Sequence, residues 1–356
     1  MASAAFSPDW ASAPGDTIAD ILRERGVSIS EFAVRMESTP EQVEDLLQGR
    51  STITIAIARK LNEVLGGSVE FWMSRDFQYR EDVARLQTVH ATDREWLREL
   101  PLSDMIRFGW LRPAPRPSDE VTACLRFFDM PSVGAWRAAY RNLGEMAAFR
   151  TSPSFDSSPA SVAAWLRQGE IESEAIECGS WNPAGFEASL ARIRALTRRK
   201  NLDRFLPELQ RVCSESGVAV AVVRPPTGCR ASGATRFLSK GKALLLLSLR
   251  YLSDDQFWFS FFHEAAHLLR HEKRLFLEGV ELASTREESE ANEFAGNVLV
   301  PPDSQREMLN LPTRAHDVIR FAVHVGVSPG IIVGQLQHYG RLDRDQLNGL
   351  KRRFTW

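Results

Sequence analysis

WFSFFHEAAHLLRHEKR, residues 258–274, sets three histidines and a glutamate into a run otherwise as apolar as a core helix. Burying such groups is costly unless they are paired or hold a cation. His263, Glu264 and His267 form the pattern HExxH. On a helix of 3.6 residues per turn, positions i and i+4 stand above one another, so both imidazoles reach one cation from the same side. Glu264 lies about 100° round from His263, within reach of water at that cation. A catalytic zinc site needs three protein ligands and an open position, so a third ligand is required. His271 is not it. It stands roughly 12 Å along the helix from His263, too far for three ligands on one straight helix to meet one ion at about 2 Å. His271 is expected beyond the site, near the helix C-terminus, where positive charge is favoured.

The flanking segments supply a frame for this helix. GVAVAVVRPP (217–226) and KALLLLSLRY (242–251) read as short buried strands. Ser253 or Asp254 is expected to cap the helix that follows, with acidic residues facing its positive end. STREESEANEFAGNVLVPP (284–302) reads as a second helix, started by Ser/Thr, with a core stripe of Ala291, Phe294, Ala295 and Val298 and a stop before Pro301. Glu290, one turn before Phe294, is the favoured third ligand, with Glu287 as the alternative and Glu293 to the side. The aromatic run FWFSFF (257–262) reads as core. VIRFAVHVGVSPGIIVGQLQHYGRL (318–342) reads as a helix, a turn and a helix, packed beneath the metal-bearing part.

Residues 17–85 carry five short helical patterns, with apolar residues such as Ile18, Leu22, Val43, Leu46, Ile57 and Leu61 at helical spacing. Gly26, Gly49 and Gly66 fall where helices should stop. Such short pieces must pack on one another, as in a helix-turn-helix bundle. In that motif the second helix, here TPEQVEDLLQGR, enters the major groove. Thr39 and Gln42 are its candidates for base edges or phosphates, and Arg50 for phosphate. Residues 1–90 hold 9 Lys and Arg against 14 Asp and Glu, a net −5 (9 − 14). Phosphate repels such a surface unless Arg50, Arg59 and Lys60 cluster against it. Between the two parts, residues 86–200 read as mostly helical, interrupted at RPAPRPSDE (112–120) and SSPAS (157–161). RRK (198–200) and KRR (351–353) read as solvated helix ends, the second of which could touch phosphate.

The whole 356-residue chain has a net charge of −2, which gives no overall basic field to hold a polyanion. Four scattered cysteines without CxxC pairs point to buried thiols in a reducing compartment. No leader pattern and no long uncharged apolar run is present, so a soluble, cytoplasmic protein with no membrane partner is expected.

FFHEAAHLLRH, then ESEANEFA, then VLVPP, in that order, resemble the ImmA/IrrE family of zinc metallopeptidases. The resemblance implies Zn2+ as cofactor, His263, His267 and Glu290 as its ligands and Glu264 as the catalytic acid/base. Ala266 stands where that family more often has glycine. PGDTIADILRERG, LLQGRSTITIAIARKL and SVEFWMSRDFQYRED resemble a Cro/repressor-type (XRE) helix-turn-helix of the HigA-antitoxin kind. The expected fold is α+β and mostly helical. It comprises a helix-turn-helix bundle at 14–85, a helical middle at 86–200, a zincin-like domain with a small sheet and the HExxH helix at 201–340, and a tail at 341–356. The resemblances together imply a DNA-binding, antitoxin-like transcriptional regulator carrying a gluzincin-type metalloendopeptidase. Its partners would be an operator, a protein substrate such as a repressor or toxin, and a second copy of the chain, since such modules commonly read two half-sites. Two alternatives stand beside it: a regulator whose metal domain only senses or stabilises, and a protease whose helical module holds protein rather than DNA.

Overall fold

The structure, a computed structural model, describes residues 10–141, 158–271, 276–277 and 285–356. The chain divides into two compact units, residues 1–96 and 97–356.

Five helices are described in the first unit: α1 (Pro14–Arg25), α2 (Ile29–Arg35), α3 (Pro40–Leu47), α4 (Ile55–Leu65) and α5 (Val69–Glu99). The expected boundary at 85/86 falls inside α5, which runs on past Trp96. Hydroxyls start three of the helices: Ser28, Thr39 and Thr54 accept from the amides of Glu31, Gln42 and Ile57, meeting donors that a helix leaves unsatisfied. Ile18, Phe32, Val43, Leu61 and Trp72 are wholly buried between the helices. Each such side chain contributes about 1.5–3 kcal/mol, which is how helices too short to stand alone persist. The tightest crossing is at Gly15, where a Cβ would lie 1.8 Å from the Leu47 carbonyl oxygen. Only a residue without a side chain lets α1 approach the end of α3 so closely.

In the second unit α6 (Leu102–Arg107), α7 (Pro117–Phe128), α8 (Val133–Ala139), α9 (Pro159–Glu174), α10 (Pro183–Leu196) and α11 (Leu202–Ser214) precede the sheet. The strands are β1 (Val218–Val222), β2 (Gly233–Ser239), β3 (Lys242–Leu247) and the two-residue β4 (Phe276–Leu277). Their order is β1-β3-β2-β4, with β1 parallel to β3 and the other pairs antiparallel. β3 is apolar from Ala243 to Leu247 because both its faces are covered. Leu246 lies against α9, where a Cβ on Gly169 would come within 2.6 Å of it. Leu245 and Leu247 face the core shared with α12 (Asp254–Arg270). β2 was not expected from the sequence. Its GATRFLS pattern is half-buried, and its one charge, Arg236, is answered by Glu170 on α9.

α13 (Thr285–Leu299) packs beside α12, followed by α14 (Pro302–Leu309), α15 (Ala315–Val325) and α16 (Pro329–His338). Ser284, expected to open α13, lies outside the described residues. Phe257, Trp258, Phe261 and Phe262 are core, as their run suggested, and so are Phe321, Ile331, Ile332 and Leu336 beneath α12. Among the described residues no single helix is long and apolar enough to cross a membrane.

Two features anchor α12 and α13. Arg194 on α10 donates to the carbonyl of Leu299 at 3.2 Å and of Val325 at 2.5 Å, the last residues of α13 and α15. Such carbonyls have no partner within their own helices, and a guanidinium fork suits two at once. Arg194→Met is expected to cost about 2 kcal/mol, the value of a hydrogen bond to a charged group. A fall in the urea midpoint of the second unit would show it; an unchanged midpoint would assign Arg194 no structural role.

The second anchor corrects two expectations. Ser253 is the N-cap of α12 but makes no side-chain cap, pairing instead with Arg353 as a β-bridge. KRR (351–353) is not a solvated end. Lys351 Nζ lies 2.7 Å from Asp255 Oδ2, and the Arg352 amide donates to Asp254 Oδ1 at 2.9 Å. Ser328 donates to the other Asp254 oxygen at 2.7 Å, and Phe354 is buried beside Phe205 and Phe257. Residues 351–354 are thus strapped across the base of α12.

Candidate metal centre

The HExxH residues sit mid-way along α12 and are almost wholly buried. One turn of helix brings His263 Nε2 and His267 Nε2 to 3.1 Å from each other. The third group to reach them is Glu288, from α13: its Oε2 lies 3.2 Å from His263 Nε2 and its Oε1 3.5 Å from His267 Nε2. Ligands on a tetrahedral ion with bonds of about 2.05 Å stand roughly 3.3 Å apart. The three separations match that spacing, so His263, His267 and Glu288 could hold a metal ion.

Around them, hydrogen bonds fix both rings. His263 Nδ1 lies 3.0 Å from Asn292 Oδ1. A proton on Nδ1 donates to that amide oxygen and leaves Nε2 free of a proton. His267 Nδ1 lies 2.9 Å from His271 Nδ1, and His271 Nε2 lies 3.3 Å from Glu290 Oε2. Donation in sequence, from His267 to His271 and from His271 to Glu290, turns the His267 Nε2 lone pair towards His263 and Glu288. His271 therefore is not merely beyond the site. It caps the end of α12 and orients His267.

The protonation states suit a cation. Burial holds the His267 imidazole below its ordinary range and so favours its neutral form. Burial pushes the Glu288 carboxyl up, but hydrogen bonds and charge from His263 and His267 outweigh it and bring it down to about 2.

Glu290, the expected third ligand, is not brought to the histidine pair. Its side chain is 45 % exposed and takes a 2.7 Å hydrogen bond from Arg286 Nε, which holds its carboxyl below the usual range. Glu287, the alternative, stands one residue before Glu288 and is half-buried. Glu288 was missed, although the sequence held two signals for it. It lies three residues before Ala291 and seven before Ala295, in phase with the buried face of α13.

Glu264 is fully buried on α12, against β2. A Cβ on Gly233 would lie 2.6 Å from both Glu264 Cγ and Oε1. Gly233 thus makes the space in which this carboxylate lies, a role no motif in the sequence marks.

In the first unit, Thr39 and Gln42 are exposed at the start of α3 but bonded to one another. The Thr39 hydroxyl accepts from the Gln42 amide, and the Thr39 amide donates to Gln42 Oε1 at 3.0 Å. Arg50 pairs with Asp45 at 2.6 Å and also donates to Gln48. Lys60 pairs with Glu37 at 2.7 Å.

Comparison with known proteins agrees with this division. Residues 217–336 match the peptidase M78 family model, described as an IrrE N-terminal-like domain. The N-terminal part is similar to an uncharacterised HTH-type transcriptional regulator, YddM, of Escherichia coli (strain K12). The identity is 41% over 61 residues, 17% of this chain. The chain spans 65% of that regulator's length. The matched domain is mostly helical with a small sheet around the HExxH helix, so the fold is α+β as expected. The chain carries an IrrE N-terminal-like domain of the peptidase M78 family in its C-terminal part, joined to an N-terminal helix-turn-helix module homologous to a transcriptional regulator.

Proposed function

We propose that this protein is a cytoplasmic DNA-binding regulator whose second unit is a zinc-dependent peptidase acting on a regulatory protein. The convergence of His263, His267 and Glu288 at ligand spacing carries the reading. Two imidazoles and one carboxylate are a zinc-type donor set with room for a fourth position. When bound there, zinc would polarise a peptide carbonyl and acidify water at the site.

The chain's own residues do the rest. Asn292 and His271 hold the two rings so that Nε2 of each faces Glu288. Glu264, confined against Gly233, takes a proton from the attacking water at a carboxylate oxygen and returns it to the leaving amine. In the first unit, α3 carries Thr39 and Gln42 at the end that would enter the major groove, with Arg50 beyond its C-terminus.

Glu264→Gln keeps the shape of the side chain and removes the base. Zinc should remain near one per chain, while new N-termini generated in a cell lysate fall by about 10²–10⁴-fold, the usual share of a general base. Terminal labelling with mass spectrometry reads the cleavage, and elemental analysis reads the metal. Cleavage at the wild-type rate by the variant would remove Glu264 from the mechanism.

A further inference from the structure

In the first unit Arg23, Arg35, Arg50, Lys60 and Arg80 face carboxylates, while Arg25 and Arg75 turn to neutral partners; the second unit gathers several arginines turned to neutral partners in one place. Arg352 Nη1 donates to the carbonyls of Thr197 at 2.8 Å and Arg199 at 3.0 Å. Arg199 donates to the Arg204 carbonyl at 3.3 Å. Arg353 donates to the Tyr251 carbonyl at 3.3 Å, and Arg250 donates to the Arg230 carbonyl. Arg250 Cζ also lies 5.0 Å from the centre of the Tyr251 ring. These contacts chain three distant pieces of sequence, the end of α10, the loop after β3 and residues 352–353, into one surface.

Arg199, Arg204, Arg250, Tyr251 and Arg353 are all exposed. Among the described residues, no carboxylate pairs with these four arginines, in contrast to Arg192, Arg211 and Arg270 on the same unit. Asp203 is the acidic residue within the run. Half-buried Arg352 faces Asp254 and serves the fold, so it is left out of the set. Guanidinium forks turned to carbonyls keep further N–H donors, and those forks match phosphate oxygens. The exposed Tyr251 ring, stacked by Arg250, offers a face of the kind bases stack on.

We propose that this surface, on the peptidase-bearing unit and outside the helix-turn-helix, binds the phosphate backbone of a nucleic acid. The inference rests on the reading of the chain as a DNA-binding regulator, and it resolves a difficulty in that reading. A module of net −5, with five of its nine cations engaged by its own acids, has little with which to hold phosphate. A second contact surface of opposite sign supplies sequence-independent affinity, while α3 supplies selectivity.

The test measures binding of the full chain to a labelled random-sequence duplex by fluorescence anisotropy, between about 50 and 200 mM salt. Combined Arg199→Gln, Arg250→Gln and Arg353→Gln should lower the slope of log affinity against log salt by about 3, one for each phosphate contact. The same three positions changed to Lys keep the charge and should keep the slope, which separates lost contacts from a disturbed fold. An unchanged slope in the Gln variant, with duplex binding intact, overturns this inference alone and leaves the helix-turn-helix reading standing. Loss of slope in the Lys variant also overturns it. Absence of duplex binding by the wild-type chain overturns both readings. Binding of poly-glutamate through these arginines, with duplex binding unaffected, replaces the nucleic acid with an acidic protein and overturns it too.

Discussion

Glu288→Ala protein is expected to purify nearly free of zinc, while Glu290→Ala protein retains it. In the proposed site Glu288 would supply the third donor atom, 3.2 Å from His263 Nε2 and 3.5 Å from His267 Nε2. Without it two imidazoles remain, and two ligands do not fill a protein zinc site. Outer partners of metal ligands typically account for 10–100-fold in affinity, so a lost ligand should weaken binding by more than about 100-fold. Glu290 acts two hydrogen bonds away, through His271 on His267. Its removal should weaken zinc by about tenfold at most, at the lower end for an outer partner. Competition against a chromophoric chelator reads both variants on one scale. Zinc lost from Glu290→Ala but retained by Glu288→Ala would reverse the assignment and imply that α13 turns in the loaded protein.

Gly15→Ala should unfold the first unit while leaving the second intact. Two effects of opposite sign compete. Alanine in place of glycine inside a helix normally gains about 0.5–1 kcal/mol. Here the new methyl would lie 1.8 Å from the Leu47 oxygen, 2.3 Å from its carbonyl carbon and 2.5 Å from its Cα. Overpacking against side chains costs about 1–3 kcal/mol, and backbone has no rotamer with which to retreat. The clash therefore wins, and α1 must leave α3. Differential scanning calorimetry should show the first unit's transition lost or sharply lowered, with duplex binding falling alongside and zinc content unchanged. An unchanged or raised transition would mean that α1 and α3 do not approach this closely.

Much of this architecture was legible from periodicity. The apolar run around HExxH forced a buried helix, and the i, i+4 histidines fixed its working face. The five helices of the first unit follow their apolar spacing and hydroxyl caps. That Glu288 rather than Glu290 stands beside the histidine pair has a definable reason. The stripe on α13 was phased on Phe294, but that ring is half-buried at the edge of the face, with Arg270 5.6 Å from its centre. Phased on fully buried Ala291 and Ala295, Glu288 falls within about 20° of Ala295 and Glu290 about 140° away, at 100° per residue. β2 escaped notice because its burial depends on β3, on α12 and on Glu170 of α9, which are remote in sequence. Gly233 could be understood only once Glu264 was seen against it. The strap at 351–354 likewise joins residues 98 positions apart, a pairing that local pattern does not encode.

That strap has a consequence for the order in which the molecule is made. α12 leaves the ribosome carrying His263, Glu264 and His267, but the amide that answers Asp254 follows 98 residues behind it and the ammonium that answers Asp255 follows 96 behind. At 5–20 residues per second this is a delay of roughly 5–20 s. Throughout that interval the base of the helix holds two neighbouring acids without Lys351 or Arg352, so the nascent chain carries its chemistry on an unfinished support. The helix that bears the candidate metal site is therefore fully braced only after residues 351–354 have been made.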